Sequence, residues 1–379
     1  MGELFDLATS MDALYAAFQL SKRESDWKSS VQRFEMNLLP NLVELHNELR
    51  SGTYKQSEFY EFTLNERGKT RHIRSMHIRD RVVQRSVCDN ILTPTLERYL
   101  IYDNGASIKG KGISFSRNRL QCHLEKFYRR HGLDGWVLKI DFSKFFDNIR
   151  HDRLMEMIEA KIDDTEALEL IRRMIESFSV DVTGLPEEQV RDWWFGIYDS
   201  VKYQPSTGGK RFMPKGLGIG SQISQIGGVY VLTPVDQYCK TVRQCKYYGR
   251  YMDDIYIIHH DKAFLKDVLE NIKTIALRVG LHVNDRKTTI TPLRHGFSFM
   301  QVKYTVTNTG HIVKRLMAAK MTRERRKLKR YRGLFDSGRM TREDISNAYQ
   351  SWRGNVKPFD ANTSMRNMDK LYNQLFVDK

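Results

Sequence analysis

Two adjacent aspartates, Asp253 and Asp254, lie between two runs of strand-forming residues in the stretch 246–261, KYYGRYMDDIYIIHHD. Tyr247, Tyr248, Tyr251, Ile255, Tyr256, Ile257 and Ile258 are the β-branched and aromatic types that suit a pleated, half-buried surface, so a β-hairpin with both carboxylates in its turn is expected. Neighbouring anions raised out of a sheet repel each other and lose hydration, which is unfavourable unless a cation compensates. Mg²⁺ suits that role, because it prefers hard oxygen ligands and is commonly held by one or two carboxylates together with substrate phosphates. A solvated Asp-Asp turn is the alternative, since Asp is a common turn former. A further carboxylate on another strand would decide between the two.

Asp141 supplies it. In VLKIDFSKFFDNI, residues 137–149, an apolar strand over 136–140 delivers Asp141 at its end, and Phe142, Phe145 and Phe146 follow as the chain turns towards a helix expected over 151–161. Three carboxylates are enough for two divalent ions clamping the attacking and leaving oxygens of a phosphoryl transfer.

Tyr251-Met252-Asp253-Asp254 resembles the YxDD box of reverse transcriptases, and Asp141 with Phe142 to Phe146 resembles their first palm motif. Further motifs follow in the family's order over most of the chain. The resemblance implies an α+β right-hand polymerase with fingers, an antiparallel palm sheet and a helical thumb. The expected divisions are an N-terminal helical extension and fingers at 1–125, a palm with part of the fingers at 126–304, and a thumb at 305–379. It also implies attack of a primer 3′-OH on the α-phosphate of a deoxynucleotide, with RNA as template and DNA or RNA as primer. Asp141, Asp253 and Asp254 would hold two Mg²⁺ ions, Mn²⁺ being the alternative, with the backbone carbonyl of Phe142 as an added ligand.

Composition agrees with a polyanionic partner. Lys plus Arg number 62 against 46 Asp plus Glu, a net charge of +16 over 379 residues, and the length implies two or three subdomains. Cys88, Cys122, Cys239 and Cys245 show no metal-ligand spacing and read as buried or incidental thiols of a reducing compartment. The start of the chain has no basic segment leading into an apolar run, and no later run approaches the roughly 18 apolar residues of a membrane span. A cytoplasmic protein without membrane contact is expected.

Residues 1–60 read as helices, with Leu39, Leu42, Leu45 and Leu49 at helical spacing and an end at Ser51-Gly52-Thr53. In residues 61–84 a turn at Gly68 joins two short strands and is expected to bring Lys69, Arg71 and Arg74 together. Lys69 and Arg71 are the expected ligands of the nucleotide triphosphate; a solvated basic hairpin is the other reading. Residues 104–119 combine glycines with Lys109, Lys111, Arg117 and Arg119, which suits a template or primer phosphate path or a plain basic loop. By resemblance, Phe146 lies beneath the sugar of the incoming nucleotide, where a bulky ring would exclude a 2′-OH by shape, unless Phe145 and Phe146 are both core residues. The stretch 176–214, with Pro186, Glu187-Glu188, Trp193-Trp194 and Gly208-Gly209, reads as an inserted helix followed by a hairpin or loop.

Residues 215–225, KGLGIGSQISQ, narrow the resemblance. Most reverse transcriptases carry PQGxxxSP here, whereas IGxxxSQ is similar to the pattern of diversity-generating retroelements, whose enzymes copy RNA with frequent errors at adenines. Ile219, Gly220 and Gln225 are the expected nucleotide contacts: Gly220 permits close backbone approach and Ile219 replaces a hydrogen-bonding side chain, with a faithful enzyme as the alternative. After a helix expected over 262–279, Lys287 resembles the lysine that approaches the departing pyrophosphate, though an exposed lysine beside Arg286 reads equally simply. Met300-Gln301 departs from the family's Leu-Gly pair in the primer-gripping hairpin, and a second hairpin is expected to turn at 308–310.

Finally, Arg323, Arg326, Lys327 and Arg330 belong to a crowded basic helix over 317–332 that suits a template-primer backbone. Thr341 is expected to cap a second thumb helix, and a third lies near 364–376. The preferred setting is a diversity-generating retroelement, with an accessory protein among the partners. A phage-defence enzyme with protein-primed or untemplated synthesis is the runner-up, and an RNA-binding intron maturase is a reading from another class.

Overall fold

A computed structural model describes residues 2–23, 25–66, 69–193 and 209–377. Helices Glu3–Thr9, Met11–Ser21, Ser29–Met36 and Leu38–Arg50 form the N-terminal extension. Leu42, Leu45 and Leu49 are buried as their spacing requires, but Leu39 is exposed: the buried stripe of this helix begins one turn later than the apolar run in the sequence. The finger ribbon follows as β1 (Tyr60–Glu66) and β2 (Lys69–Ser75), paired antiparallel. Its turn at Gly68 and the side chains of Lys69 and Arg71 lie outside the described residues.

Period-two alternation separates the three cations expected to cluster there. Positions 69 and 71 share one face of the ribbon and position 74 the other. Arg74 is engaged on its own side, pairing with Glu61 at 3.0 Å and donating to the Phe178 carbonyl at 2.9 Å.

The palm sheet is built from β3 (Trp136–Ile140), then, beyond a short pair formed by β4 (Val180–Asp181) and β5 (Phe212–Met213), from β6 (Tyr247–Tyr251), β7 (Asp254–His259) and β8 (Thr289–Pro292). Their order is β6-β7-β3-β8, antiparallel throughout. Helix Lys262–Arg278 packs Leu265, Val268, Ile272 and Ala276 into the core, and helix Gln222–Tyr230 lies near Phe145 and Phe146. One apolar core runs from the N-terminal helices into this palm.

A second sheet of β9 (Phe297–Phe299), β10 (Val302–Val306) and β11 (Ile312–Leu316) shares a core with helix Ile113–His131 and the central palm strands β3 and β7. Residue 304 falls inside this sheet and residue 125 inside the helix, and the last group of helices begins at Ala318. The thumb helices Ala318–Asp336, Arg342–Val356 and Asn362–Phe376 enclose their own core of Leu328, Ile345, Tyr349, Met368 and Phe376. Thr341 caps the middle one in a reciprocal box with Asp344. In the insertion, helix Glu187–Trp193 precedes β5; Trp194 and Gly208 lie outside the described residues. Among the described residues no helix is long and apolar enough to cross a membrane.

Candidate polymerase site

Strand register brings the sequence-distant aspartates to one place. β3 pairs with β7 from Trp136↔His259 to Ile140↔Ile255, so Asp141 is the next residue in line and stands opposite Asp254. Tyr251 pairs with Asp254, leaving Met252 and Asp253 as the two turn residues. Met252 has φ of 55°, a conformation that turns of this length ordinarily give to Gly or Asn. Such backbone strain persists only where the surroundings hold it.

Arg250 does the holding. Its guanidinium is fully buried, donates to the Met252 carbonyl at 3.1 Å and to the Val229 carbonyl at 3.1 Å, and is paired with the equally buried Asp236. Tyr248 donates its hydroxyl to the same carboxylate at 2.5 Å. Burial pulls the Arg250 pKa down, but Asp236 outweighs it and the net shift is upward, so the guanidinium stays charged. Removing one member would leave the other uncompensated in the core. The sequence signal for this brace was an arginine at position 250 within a run of strand-forming residues, and it was missed.

The far side of Asp141 is fixed by residues 282–288. The Asn284 N–H donates to the Asp141 carbonyl at 2.8 Å, the Asp141 N–H donates to Thr288 Oγ1 at 3.3 Å, and Phe142 bridges to Val283. Lys287 Nζ lies 3.2 Å from Asp141 Oδ1, so the lysine expected at the pyrophosphate is paired with the first aspartate. Among the described residues no three Asp, Glu, His or Cys side chains are gathered closely enough to hold a metal ion. Carboxylates that converge without a cation repel one another, and here an ammonium already neutralises one of them. Hard carboxylate oxygens at adjoining strand ends are nonetheless the donor chemistry that Mg²⁺ takes, and Lys287 shows that a cation is accommodated at Asp141.

The two phenylalanines expected either at the sugar or in the core part company. Phe145 is buried, whereas Phe146 is half-buried against helix Gln222–Tyr230. A Cβ on Gly228 would come within 2.9 Å of the Phe146 ring and 3.5 Å of Met252 Sδ, so the absence of a side chain at 228 lets ring, helix and turn meet. Phe142 is buried and tilted against Phe145.

Gly220, exposed with φ of 100°, and half-buried Ile219 precede the Ser221 cap, whose Oγ accepts from the Ser224 N–H at 3.1 Å. Gln225 is exposed on the first turn of the helix. Gln222 was not singled out by sequence, yet it ties this motif to the fingers: its N–H donates to Gln84 at 3.1 Å and its amide to Asp89 at 2.7 Å. Lys215 was likewise missed. It is buried and donates to the Trp193 carbonyl at 2.6 Å, and burial pushes its pKa down to about 7.

Of the cations expected along a phosphate path, several are committed within the protein. Lys111 donates to the Tyr102 carbonyl at 2.7 Å between two rings, Arg119 pairs with buried Asp103 at 2.6 Å, and Arg117 donates to the Met300 carbonyl at 2.9 Å; Lys109 is exposed. In the thumb, Arg323, Arg326 and Arg330 are exposed, while Lys327 lies over Tyr331 and 3.9 Å from Glu324. Met300 and Gln301 have φ of 46° and 63°, the left-handed pair that a two-residue hairpin requires, so β9 and β10 turn tightly without the glycine. A cleft of about 500 Å³ opens between that turn, Tyr251, Asp254, Lys139 and Lys320.

A telomerase from Candida albicans, solved with a fragment of telomeric RNA, is similar at 12% identity and a TM-score of 0.48, over 86% of this chain and 62% of that one. An apo telomerase from Candida tropicalis is similar at 13% identity and a TM-score of 0.47, over 70% of this chain and 58% of that one. The chain thus spans about three fifths of the length of these telomerase chains. No curated protein sequence matches it. Residues 55–313, well over half of the chain, match the family described as reverse transcriptase (RNA-dependent DNA polymerase). The chain belongs to the reverse transcriptase family.

Proposed function

We propose that the protein is an RNA-directed DNA polymerase that extends a primer 3′-OH on an RNA template, with Asp141, Asp253 and Asp254 as the metal-holding carboxylates. The observation that carries this reading is the strand register that sets Asp141 opposite Asp254 with Asp253 in the adjoining turn. Two Mg²⁺ ions bound there would lower the pKa of the attacking hydroxyl and neutralise the triphosphate. Arg250 holds the turn in place, and the Phe146 ring borders the sugar position. Lys287 exchanges Asp141 for the leaving pyrophosphate, to which it offers a proton or a charge. Lys69 and Arg71 serve the triphosphate from the finger ribbon, Ile219, Gly220 and Gln225 lie along the nucleotide pocket, and the 500 Å³ cleft takes the primer end. Arg323, Arg326, Lys327 and Arg330 lie against the template-primer backbone.

Primer extension on an RNA template tests the assignment. The wild-type chain should extend with Mg²⁺ and stop when the ion is chelated, and Asp253→Asn should extend nothing; an active Asp253→Asn would remove the hairpin from the mechanism.

The biological setting proposed is a diversity-generating retroelement, supported by Ile219 and Ser224-Gln225. Sequencing of the cDNA checks it: errors concentrated at template adenines support the assignment, and homopolymer or protein-linked DNA points to a defence enzyme instead.

A further inference from the structure

The open end of the catalytic hairpin carries a second site of opposite charge. Asp254 and His259 are the two ends of the six-residue strand β7, roughly 16–17 Å of extended chain apart. There a cavity of about 200 Å³ is lined by Arg130, His131, Lys246, Tyr247, His259 and His260. The rings of His131 and His260 are stacked, 5.0 Å apart and 11° from parallel, and His260 lies 4.3 Å from the ring of His259. Lys246 is exposed and precedes Tyr247, which pairs with Ile258, so it sits directly across the ribbon from His259.

Little negative charge balances this group. The side chain of Asp261 is spent on capping helix Lys262–Arg278, accepting from the Ala263 N–H at 2.7 Å. His259 Nδ1 faces the Asp261 backbone, 3.0 Å from its nitrogen and 3.3 Å from its carbonyl oxygen, so the contact serves either ring tautomer. Asp134 acts on His131 from the following turn. Of the other charges around the rings, Lys262 lies over Trp136, and Arg243, over the Phe264 ring that stacks on His259, is paired with Asp267 at 2.7 Å. Among the described residues neither Arg130 nor Lys246 is paired with a carboxylate.

The geometry points to a second nucleic-acid site, in which this cavity takes a phosphodiester of an RNA strand away from the polymerase cleft. The ligand class is a phosphate oxyanion, for which Arg130 offers a planar fork, Lys246 a point charge and His259 an N–H donor. Flat rings at the rim give the adjoining nucleotide a surface to stack on. RNA as the source rests on the proposed polymerase reading.

The site is also built to respond to pH. Burial and the neighbouring His260 hold His131 below its ordinary pKa, and the same two causes act on His259, where the Asp261 backbone partly offsets them. A bound phosphate favours the imidazolium forms, so protons are taken up on binding and affinity strengthens as pH falls.

Binding of a labelled single-stranded RNA to the full chain, measured at pH 6 and pH 8, tests the assignment. Wild type should bind about tenfold more tightly at pH 6. The double variant Lys246→Glu, His260→Gln should lose that gain while still extending a short primer on an RNA template, which shows it folded. Equal affinity and equal pH dependence in the two proteins would overturn the site. Histidine C2–H resonances provide a separate readout: perturbation of His131 and His260 by the RNA supports the assignment, and perturbation by inorganic phosphate alone would overturn RNA as the ligand. A wild-type protein that extends no primer refutes the polymerase reading instead, so the two failures are distinguishable.

Discussion

The two ends of one hairpin have been built in opposite ways. At its turn, β6 and β7 carry two adjacent acids on a strained backbone, and a buried ion pair between Arg250 and Asp236 braces them from behind. At its open end the same strands carry Lys246, His259 and His260, exposed or half-exposed, facing a cavity. The first end is over-determined: turn, brace and the Asp141 strand restrict one another. At the second the groups are held by ring stacking and strand ends with no buried ion pair behind them, which suits a contact that a mobile anion completes. Rigidity lies where the proposed reaction would position an atom, and adaptable charge where the proposed RNA contact would hold only a backbone.

The largest effect should come from removing a carboxylate at the turn. Asp253→Asn should lower primer extension by on the order of a thousandfold or more while RNA binding at the far end persists, read as extension rate against RNA affinity. If both fell together, the two ends would not be separate devices.

Next in size is the brace. Asp236→Asn leaves the Arg250 guanidinium uncompensated in the core and should cost about 3–5 kcal/mol, measured by urea unfolding, whereas His260→Gln should cost well under 1 kcal/mol. Equal costs would mean that the turn is not held more tightly than the open end.

A smaller and more specific effect is expected at the sugar. Phe146→Ala should raise ribonucleotide incorporation by about tenfold or more in single-nucleotide extension, with deoxynucleotide use largely kept. Phe145→Ala should instead lower stability, because that ring is buried in the core. Unchanged discrimination in Phe146→Ala would remove the gate.

The smallest effect concerns pH. Lys215 has a folded pKa pushed down to about 7 from an ordinary 10.5, so the native state binds fewer protons than the unfolded chain between those values. Its contribution to stability is therefore fully present above about 10.5 and is lost as pH falls towards 7. Lys215→Met should remove this dependence, and its stability relative to wild type should be greatest near pH 7, checked by thermal unfolding between pH 7 and pH 10.

Much of the palm was legible because its signals are local. Trp136–Ile140 reads as a strand from its own residues, the hairpin from its aromatic and β-branched runs, and Lys262–Arg278 from its periodicity. The Thr341 cap was legible for the same reason. What could not be read needed a partner elsewhere in the chain. Asp236 is an ordinary helix aspartate until folding sets it against Arg250, and nothing in the residues around Lys215 marks the Trp193 carbonyl as its partner. The grouping of Arg74 with positions 69 and 71 failed on alternation alone, which places position 74 on the other face of the ribbon. Lys111 and Arg119 looked like phosphate ligands because a basic loop gives no sign of the rings and the carboxylate it folds onto.

The central claim is that Asp141 and the hairpin acids share a pair of divalent ions. Its most direct test is a crystal structure of the protein with primer, RNA template, deoxynucleotide and Mn²⁺, using anomalous scattering to locate the metal. The account predicts two peaks contacting Asp141 and the aspartates of the turn, with the Lys287 ammonium moved from Asp141 towards the triphosphate. Asp141 still paired with Lys287, and no anomalous density at the strand ends beside bound nucleotide, would contradict it.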